Sequence, residues 1–537
     1  MRGQRAAGRL AARIAACAIL LAAVAAPARP VPPGQPGRID RLIAEWRYEE
    51  ARDELAPLLG QHPRDPHYLF LDGELRFLAG DYAGATARLR EAIGLNRGAE
   101  EWKGLRDLVA ATERETQSYA TTASAHFVLR YPAGKDALLA PYAVEALESA
   151  FRVLAEDLGY QPPPGRKIRV EIYPEVVSLA RVSPLTEREI RTSGTVALCK
   201  YNRLMIVSPR ALERGYPWLD TLGHELTHYV ISRVSHNTVP IWLHEGIAKF
   251  EERRWRAAPG GGMTPSMEHL LATALKKGRL ITFEQMHPSM AKLPSQEDAA
   301  LAFAEVYTVI EYLYQQKGYA GLRALLTAMR DGVSEPRAMA QTMGMSMDEL
   351  QRAWRHHLKE LGLKQRAGFV PHRLKFRRPG GKSAKNADQE LSDIPEQRAR
   401  RHARLGGLLR ARRRLVAAAT EYQRALGILG RDEPLLANRL ARTYLEMGDP
   451  QKAISAAEPA LALYPDLPGP HATIGQAYLK RKDLAHAAEH LTAALRLSPF
   501  NPVVHCGLWE VYRQRGSAEL AEREQRFCAQ LGQAEEE

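Results

Sequence analysis

A repeat of 34 residues constrains the fold of this chain more than any other feature of its sequence. Tyrosine recurs at that interval at Tyr444, Tyr478 and Tyr512. Small residues and prolines recur in step with it, at Ala419, Ala453, Ala487 and Ala521, at Ala460 and Ala494, and at Pro465 and Pro499. Small residues let paired helices approach closely, and the prolines end one hairpin before the next begins. Residues 401–535 are therefore predicted to be stacked helical hairpins.

A shorter copy of the pattern lies near the N-terminus. Tyr48 and Ala51 recur 34 residues later as Tyr82 and Ala85. Gly73, Gly80 and Ala92 supply further small residues. We expect residues 38–122 to form a second, shorter array. Each array can serve as a docking surface for a protein or as a spacer, and the pattern does not separate these two roles.

The size and charge of the chain place it among multidomain globular proteins. Its 537 residues are too many for one core. Lys and Arg number 75 against 62 Asp and Glu, and the hydrophobic fraction of 45% is ordinary, so the chain is basic but not disordered.

Between the arrays, one short segment has the residues of a zinc hydrolase site. In the run Gly223-His224-Glu225-Leu226-Thr227-His228, the two histidines stand four apart and share one helix face, so both imidazoles can reach one ion. Glu225 follows His224 directly. A carboxylate there lies beside the metal without binding it, which is the place of a general base.

A catalytic zinc ion needs a third protein ligand and one open position. Glu245 is the best candidate, since Pro240 and Ile241 predict a second helix, 242–254, close behind the first. His244 and His236 are weaker competitors, and His244 and Glu245 cannot both face the ion. The metzincin pattern is excluded because Ile231 and Val234 stand where it requires glycine and a third histidine.

These residues resemble those of the gluzincin metallopeptidases, most closely the bacterial peptidase MA-like proteins with tetratricopeptide (TPR) repeats. The resemblance rests on His224, Glu225, His228 and the run Trp242-Leu243-His244-Glu245-Gly246-Ile247-Ala248. It implies a multidomain α+β protein, with a thermolysin-like (gluzincin) zinc peptidase domain over residues 125–362 flanked by all-α TPR repeats. It also implies Zn²⁺ as cofactor, held by His224, His228 and Glu245, with Glu225 as the catalytic residue.

The flanking sequence agrees with that implied order of elements. Strands are predicted at 127–131 and 167–173 with an amphipathic helix, 140–158, between them. A hairpin about Tyr201-Asn202, covering 195–207, precedes the zinc helix, and a capped helix ending at Leu361 closes the domain.

Two positions of the resemblance leave questions open. Thermolysin-like enzymes place an aspartate four residues after the ligand glutamate to support a histidine, whereas this chain has Lys249. Tyr307, on a helix predicted at 303–315, is an oxyanion-stabilising candidate by resemblance only.

The N-terminus is predicted to be a secretion signal, residues 1–28. Four arginines precede the apolar run 14–26, which is shorter than the roughly 20 residues that span a bilayer, and Ala26-Pro27-Ala28 offers a cleavage site. An uncleaved anchor is the alternative. Lipidation at Cys17 is disfavoured because most of the apolar run follows it. We expect a bacterial protein that is exported, periplasmic or secreted, with no membrane span after cleavage.

Export leaves three cysteines, Cys199, Cys506 and Cys528. Cys528 falls in the repeat region, so helix packing is favoured for it over a Cys506–Cys528 disulfide, although an oxidising compartment permits the pair. Residues 363–400 are polar and rich in Lys and Arg and are predicted to be a linker. A specific polyanion site there is the alternative. Nucleic acid is not expected as a partner, because an exported protein rarely meets it and no aromatic pattern in the segment marks a stacking platform.

Two functions of different class follow. The favoured one is a zinc metallopeptidase that hydrolyses a peptide or protein substrate laid along an edge strand of the hairpin, with the arrays recruiting a protein substrate or partner. The alternative is a TPR scaffold with a non-catalytic zinc peptidase-like domain. In the favoured case, removing 419–537 is expected to spare cleavage of short peptides and weaken cleavage of the protein target.

Overall fold

The computed structural model describes residues 36–533 apart from 367, 371–372, 378–389 and 431–432. Chain contacts divide it into two compact units. The first takes in the described parts of 1–207, 222–262 and 280–362, and the second takes in those of 208–221, 263–279 and 363–537. The expected signal peptide, 1–28, lies outside the described residues. None of the described helices has the length and apolarity needed to cross a membrane.

The first unit begins with the N-terminal repeats. Its helices are α1 Pro36–Ala44, α2 Tyr48–Gln61, α3 Pro66–Ala79, α4 Tyr82–Leu95 and α5 Glu100–Thr116. The Asp65 and Asp81 side chains accept backbone N–H groups at the starts of α3 and α4. Gly73 must be small, because a Cβ there would lie 2.8 Å from Leu89 of α4. The predicted small-residue contacts between paired helices are thus present.

A mixed sheet of five strands follows. The strands are β1 Tyr119–Ala123, β2 Phe127–Pro132, β3 Ile168–Tyr173, β4 Ala197–Lys200 and β5 Arg203–Val207. Their order is β1-β2-β3-β5-β4, with β2–β3 and β3–β5 parallel and the outer pairs antiparallel. The hairpin about Tyr201-Asn202 is confirmed, and both turn residues have positive φ. The sequence missed β1, whose residues were assigned to the end of the first array.

A buried ion pair joins the N-terminal repeats to this sheet. Glu171 of β3 and Arg203 of β5 are both fully buried, with Arg203 Nε 3.2 Å from Glu171 Oε2. Tyr82 of α4 donates its hydroxyl to Glu171 and accepts from Arg203 Nη1 at 2.9 Å. Burial acts to raise the pKa of Glu171, but Arg203 and the hydroxyls of Tyr173 and Tyr82 outweigh it and lower that pKa. The repeats and the sheet therefore form one unit.

The remaining helices of the first unit include the two that carry the predicted site. They are α6 Leu139–Leu158, α7 Val176–Val182, α8 Glu187–Ser193, α9 Trp218–Val234 and α10 Ile241–Glu251. After α11, Pro265–Lys277, which belongs to the second unit, come α12 Phe283–Met286, α13 Gln296–Arg330, α14 Glu335–Met343 and α15 Met347–Glu360. The first four residues of α9 belong to the second unit. Helix α13 is interrupted at Gly318, whose φ is 58°. The capping box predicted at the start of α15 is present at Ser346 and Glu349.

The second unit contains α11 and the C-terminal array. Its helices are α11 Pro265–Lys277, α16 Gln397–Ala411, α17 Leu415–Leu429, α18 Pro434–Glu446, α19 Pro450–Leu463, α20 Pro468–Lys480, α21 Leu484–Leu497, α22 Pro502–Gln514 and α23 Ala518–Gln533. Ala453, Ala460, Ala487 and Ala494 are fully buried between them. Pro465 and Pro499 follow the ends of α19 and α21, as the repeat pattern predicts.

Two expectations about the second unit need correction. Cys506 and Cys528 form a disulfide between α22 and α23, so the helix-packing interpretation of Cys528 was wrong. The predicted linker is partly ordered against the unit: Arg366 pairs with Glu268, and Phe369 stacks on Tyr464 at 5.2 Å. Helix α16 also begins at Gln397, inside the stretch assigned to the linker. Arg366 and Phe369 are single contact residues within a polar segment, and their sequence surroundings do not indicate that they pack on the unit.

Candidate metal centre

Two consecutive helices, α9 and α10, carry the residues predicted to bind metal. The turn between them reverses the chain within a few residues, because His236 and Asn237 both take positive φ, 53° and 58°. Pro240, with extended backbone, then directly precedes the first residue of α10. This short connection is what brings Glu245 back to the histidine face of α9.

Glu245 meets both histidines of α9. Its Oε2 lies 3.4 Å from His224 Nε2 and 3.2 Å from His228 Nε2. The two imidazole rings stand at 89° to each other with centroids 4.7 Å apart. Their side chains are each 12% exposed and that of Glu245 is 19% exposed, so one side of the cluster remains open to a small molecule.

The geometry and chemistry of this cluster fit a zinc ion. Zinc binds imidazole nitrogen and carboxylate oxygen at about 2.0–2.2 Å, so ligand atoms in a tetrahedral site lie about 3.3 Å apart. One potential ligand atom from each of His224, His228 and Glu245 lies within 4.8 Å of the others. Among the described residues, these three side chains are the His, Cys, Asp or Glu group whose ligand atoms lie close enough together to hold a metal ion. The same three residues were predicted from the sequence.

Two glycines permit the close packing that forms the cluster. A Cβ on Gly223 of α9 would lie 2.7 Å from the carbonyl oxygen of Glu252, just beyond α10. A Cβ on Gly246 of α10 would lie 2.7 Å from the side chain of Ile310 on α13. Trp242 anchors the start of α10 by donating to Glu335 at 2.6 Å and stacking on Phe283. The Trp-Leu-His-Glu-Gly run thus positions Glu245 between α9 and α13.

Glu225 lies beside the cluster and is 5% exposed. Burial raises the pKa of its carboxyl to about 8; the Glu245 carboxylate adds to the rise, while His228 and the backbone amide of Cys199 oppose it. Its Oε2 is buried and has no hydrogen-bond partner. An unpaired buried carboxyl oxygen is costly unless a ligand or ion completes it. This orphaned oxygen agrees with a site built for a cation and a bound substrate or water.

His244 contacts the far side of His228 and does not join the cluster. The two Nδ1 atoms are 2.6 Å apart, and His244 Nε2 lies 3.2 Å from the hydroxyl of Ser232. Burial and the neighbouring His228 lower the pKa of His244 to about 3, so its ring is neutral. If Nε2 of His228 is free to bind metal, its Nδ1 carries the proton and His244 accepts it. Of the two competing residues, Glu245 is the one that faces His224 and His228 together.

His224 has different neighbours. Its Nδ1 lies 3.9 Å from Oε2 of Glu252, and its ring meets Phe303 of α13 edge-on at 5.9 Å. Lys249 Nζ donates to both oxygens of Glu252, at 2.7 and 2.8 Å. None of these contacts was predicted from the sequence. Glu252 stands seven residues after Glu245 and Ser232 four after His228, so helical spacing was a signal that could have indicated both.

The other two candidates lie elsewhere. The hydroxyl of Tyr307 accepts the N–H of Gly262 at 2.8 Å and donates to Glu311 at 3.1 Å. The hydroxyl thus contacts Gly262 and Glu311, and the oxyanion role stays a prediction from the resemblance alone. His236 lies in the turn after α9 and is not part of the cluster.

Comparison with known proteins agrees with this organisation. Residues 147–360 match the model of the Peptidase MA superfamily, and residues 39–100 and 438–502 match a tetratricopeptide repeat model. No curated protein matches the chain.

Three solved structures show weak similarity. MamA is 16% identical, with 29% of this chain and 87% of MamA covered and a TM-score of 0.23. The APC/C hetero-tetramer Cut9–Hcn1 is 12% identical, with 93% of this chain and 80% of the matched chain covered and a TM-score of 0.27. Yeast Tom70 is 11% identical, with 93% of this chain and 85% of Tom70 covered and a TM-score of 0.24. Residues 147–360 therefore form a Peptidase MA superfamily domain, and tetratricopeptide repeats flank it on both sides.

Proposed function

We propose that this protein is an exported zinc metallopeptidase of the gluzincin type with a thermolysin-like catalytic domain. The observation that carries the proposal is the convergence of His224, His228 and Glu245 beside the buried carboxyl of Glu225. A binding-only site needs the three ligands, but it has no use for a buried acid–base group next to them.

Each residue has a separate task in the proposed reaction. His224, His228 and Glu245 hold the ion, which when bound lowers the pKa of a water molecule and polarises the scissile carbonyl. Burial raises the pKa of the Glu225 carboxyl to about 8 with no ion bound, and a cation held by the three ligands would favour the ionised form that accepts a proton. Glu225 takes the proton of the attacking water and delivers it to the leaving amine nitrogen.

Strand β4 is the proposed binding strand for the substrate backbone. It is an outer strand of the described sheet, pairing with β5 on one side. Its Cys199 amide is close enough to lower the pKa of Glu225, so the strand runs beside the proposed base. An extended peptide that pairs with an outer strand is held by its main chain, which makes side-chain selectivity in the cleft loose.

We further propose that the repeats recruit a protein substrate or partner and that the protein acts outside the cytoplasm. Stacked hairpins offer extended surfaces suited to protein binding. The Cys506–Cys528 disulfide supports export, because disulfides persist in oxidising compartments and are rare in the cytosol. The proposed location is the bacterial periplasm or the exterior.

The test is the metal content of the purified protein together with cleavage of a diverse peptide pool. The proposal predicts about one zinc per chain, and cleavage that stops on chelation and returns with added zinc. Zinc without cleavage of any peptide would favour the scaffold alternative. Absence of bound zinc after reconstitution would contradict the proposal altogether.

A further inference from the structure

The residues after Glu245 differ from the thermolysin arrangement in a way that the structure explains. Lys249 occupies the position four residues after the ligand glutamate, where a supporting carboxylate is expected. Glu252 lies nearly one turn further on, and its Oε2 is 3.9 Å from His224 Nδ1. The supporting carboxylate is therefore supplied from a later position of the same segment.

His224 requires an acceptor on this side of its ring. Its Nε2 faces Glu245, at 3.4 Å, and this is the nitrogen available to a metal. A neutral imidazole that binds metal through Nε2 carries its proton on Nδ1, and that N–H needs a partner to fix the ring. Glu252 supplies the carboxylate recorded on this side. At 3.9 Å the two atoms form an ion-pair contact and not a hydrogen bond, so the role argued here requires a small movement of the Glu252 side chain.

The surroundings of Glu252 hold it in place for this task. Lys249 Nζ contacts both of its oxygens, and Arg253 Nε lies 3.7 Å from Oε1. Its backbone carbonyl is the group that a side chain at Gly223 would strike, at 2.7 Å. The residue immediately before His224 is thus kept small so that the Glu252 segment can pack onto α9.

We propose that Glu252 is a positioning residue for the metal centre: it orients His224 through Nδ1–H, while Lys249 and Arg253 fix its carboxylate. This rests on the proposed metal site but not on catalysis. The two ligand histidines then have unlike supports, a carboxylate for His224 and the neutral His244 for His228. Lys249 belongs to this arrangement as the group that holds Glu252.

The test compares Glu252→Gln with Lys249→Met in the full-length protein. Zinc affinity is measured by competition with a chromogenic chelator, and the unfolding midpoint is measured without metal. Glu252→Gln is expected to weaken zinc binding by about 10- to 100-fold, the usual effect of losing such a partner. Lys249→Met keeps the carboxylate but removes one of the two cations that fix it, so it is expected to weaken zinc binding by a smaller factor, about threefold. The visible spectrum of the cobalt-substituted protein should change more in Glu252→Gln than in Lys249→Met.

Three results would overturn the inference. Parent-like zinc affinity in Glu252→Gln would remove the role outright. Equal weakening in both variants, with lowered unfolding midpoints, would make the Lys249–Glu252 pair merely structural. Failure of the parent protein to bind zinc would overturn the proposed function as well, whereas tight binding by both parent and Glu252→Gln would overturn this inference alone.

Discussion

His228 and His244 share a short contact between their Nδ1 atoms, 2.6 Å apart, on the side of His228 that faces away from Glu245. Because His244 is neutral and its Nε2 lies 3.2 Å from Ser232 Oγ, the three groups form a chain that fixes the ring of His228. At the proposed metal site, this relationship gives two adjacent residues different roles: Glu245 would be a metal ligand and His244 would support one.

This separation predicts a ranking of zinc affinities. Glu245→Ala leaves two protein ligands and is expected to abolish stable zinc binding. His244→Ala retains all three ligands and is expected to weaken binding by about 10- to 100-fold. Zinc content after dialysis and chelator competition measure both. A larger loss in His244→Ala than in Glu245→Ala would transfer the ligand role to His244.

The buried link between the repeats and the sheet predicts different effects at two equivalent tyrosines. Tyr82→Phe removes a hydroxyl that contacts both Glu171 and Arg203, and it should lower the free energy of unfolding by about 1–3 kcal/mol. Tyr48 stands 34 residues earlier and is equally buried, but no hydrogen bond of its hydroxyl is recorded among the described residues. Tyr48→Phe should therefore cost less than about 0.5 kcal/mol.

Denaturant unfolding of the two variants, followed by tryptophan fluorescence, measures the difference. Similar losses in both would show that the Tyr82 hydroxyl contributes nothing specific. Glu171→Gln should be the most damaging change of the set, about 3–5 kcal/mol, because it leaves Arg203 buried without its counter-ion.

The buried carboxyl of Glu305 on α13 should make the stability of the protein depend on pH. Burial raises the pKa of its carboxyl to about 8, although the N–H of Ile281 partly offsets the rise. The folded pKa is above the unfolded value of 4.5, so this contribution to stability is complete below pH 4.5 and is lost as the pH rises through about 8. Glu305→Gln stays neutral and should unfold at a temperature higher than the parent by about 3 °C or more at pH 8.

The difference between Glu305→Gln and the parent should shrink toward pH 5. Thermal unfolding of both proteins across this range checks the prediction. Parallel curves for the two proteins would mean that Glu305 titrates as an ordinary carboxyl.

The disulfide between α22 and α23 predicts a local loss of stability on reduction. It closes a loop of 22 residues, which corresponds to about 3 kcal/mol of stabilisation. Reduction, or Cys506→Ser with Cys528→Ser, should expose the last hairpin to proteolysis first. Cys199→Ala is the matched control, since Cys199 is a free thiol. Equal protease resistance with and without reductant would show that the bond is not needed to hold this hairpin.

Much of the site was predictable because its residues lie close together in the sequence. Helical spacing placed His224, Glu225 and His228 together, because they lie within five consecutive residues. Glu245 was a candidate because a second helix was predicted close behind the first. Supports such as Glu252 and His244 were harder to identify, because either could have been a solvated residue or a ligand. Their roles depend on the angle at which α10 meets α9, which local spacing does not determine.

Contacts between distant segments were not predictable. Tyr82 and Glu171 are 89 positions apart, and nothing in either local sequence indicates the other. The expectation that residues 419–537 can be removed without affecting short-peptide cleavage overlooked such contacts. Tyr216 N–H donates to Leu497 O at 2.9 Å, and Trp218 Nε1 donates to Leu495 O at 3.4 Å. Truncation at Ala419 removes both acceptors from residues at the start of α9. Recruitment by the array is better tested with substitutions of exposed residues that keep the array intact.

Glu225 is proposed to move the proton during peptide hydrolysis at a zinc site. The most direct test of this role is the turnover rate of Glu225→Gln on a peptide substrate, with bound zinc quantified in the same samples. Glu305→Gln serves as the control, because burial raises the pKa of both carboxyls to about 8 but Glu305 is not part of the metal centre. Full zinc occupancy is expected in both variants, with turnover lowered by about 100-fold or more in Glu225→Gln and close to that of the parent in Glu305→Gln. Turnover by zinc-loaded Glu225→Gln at the parent rate would contradict this role.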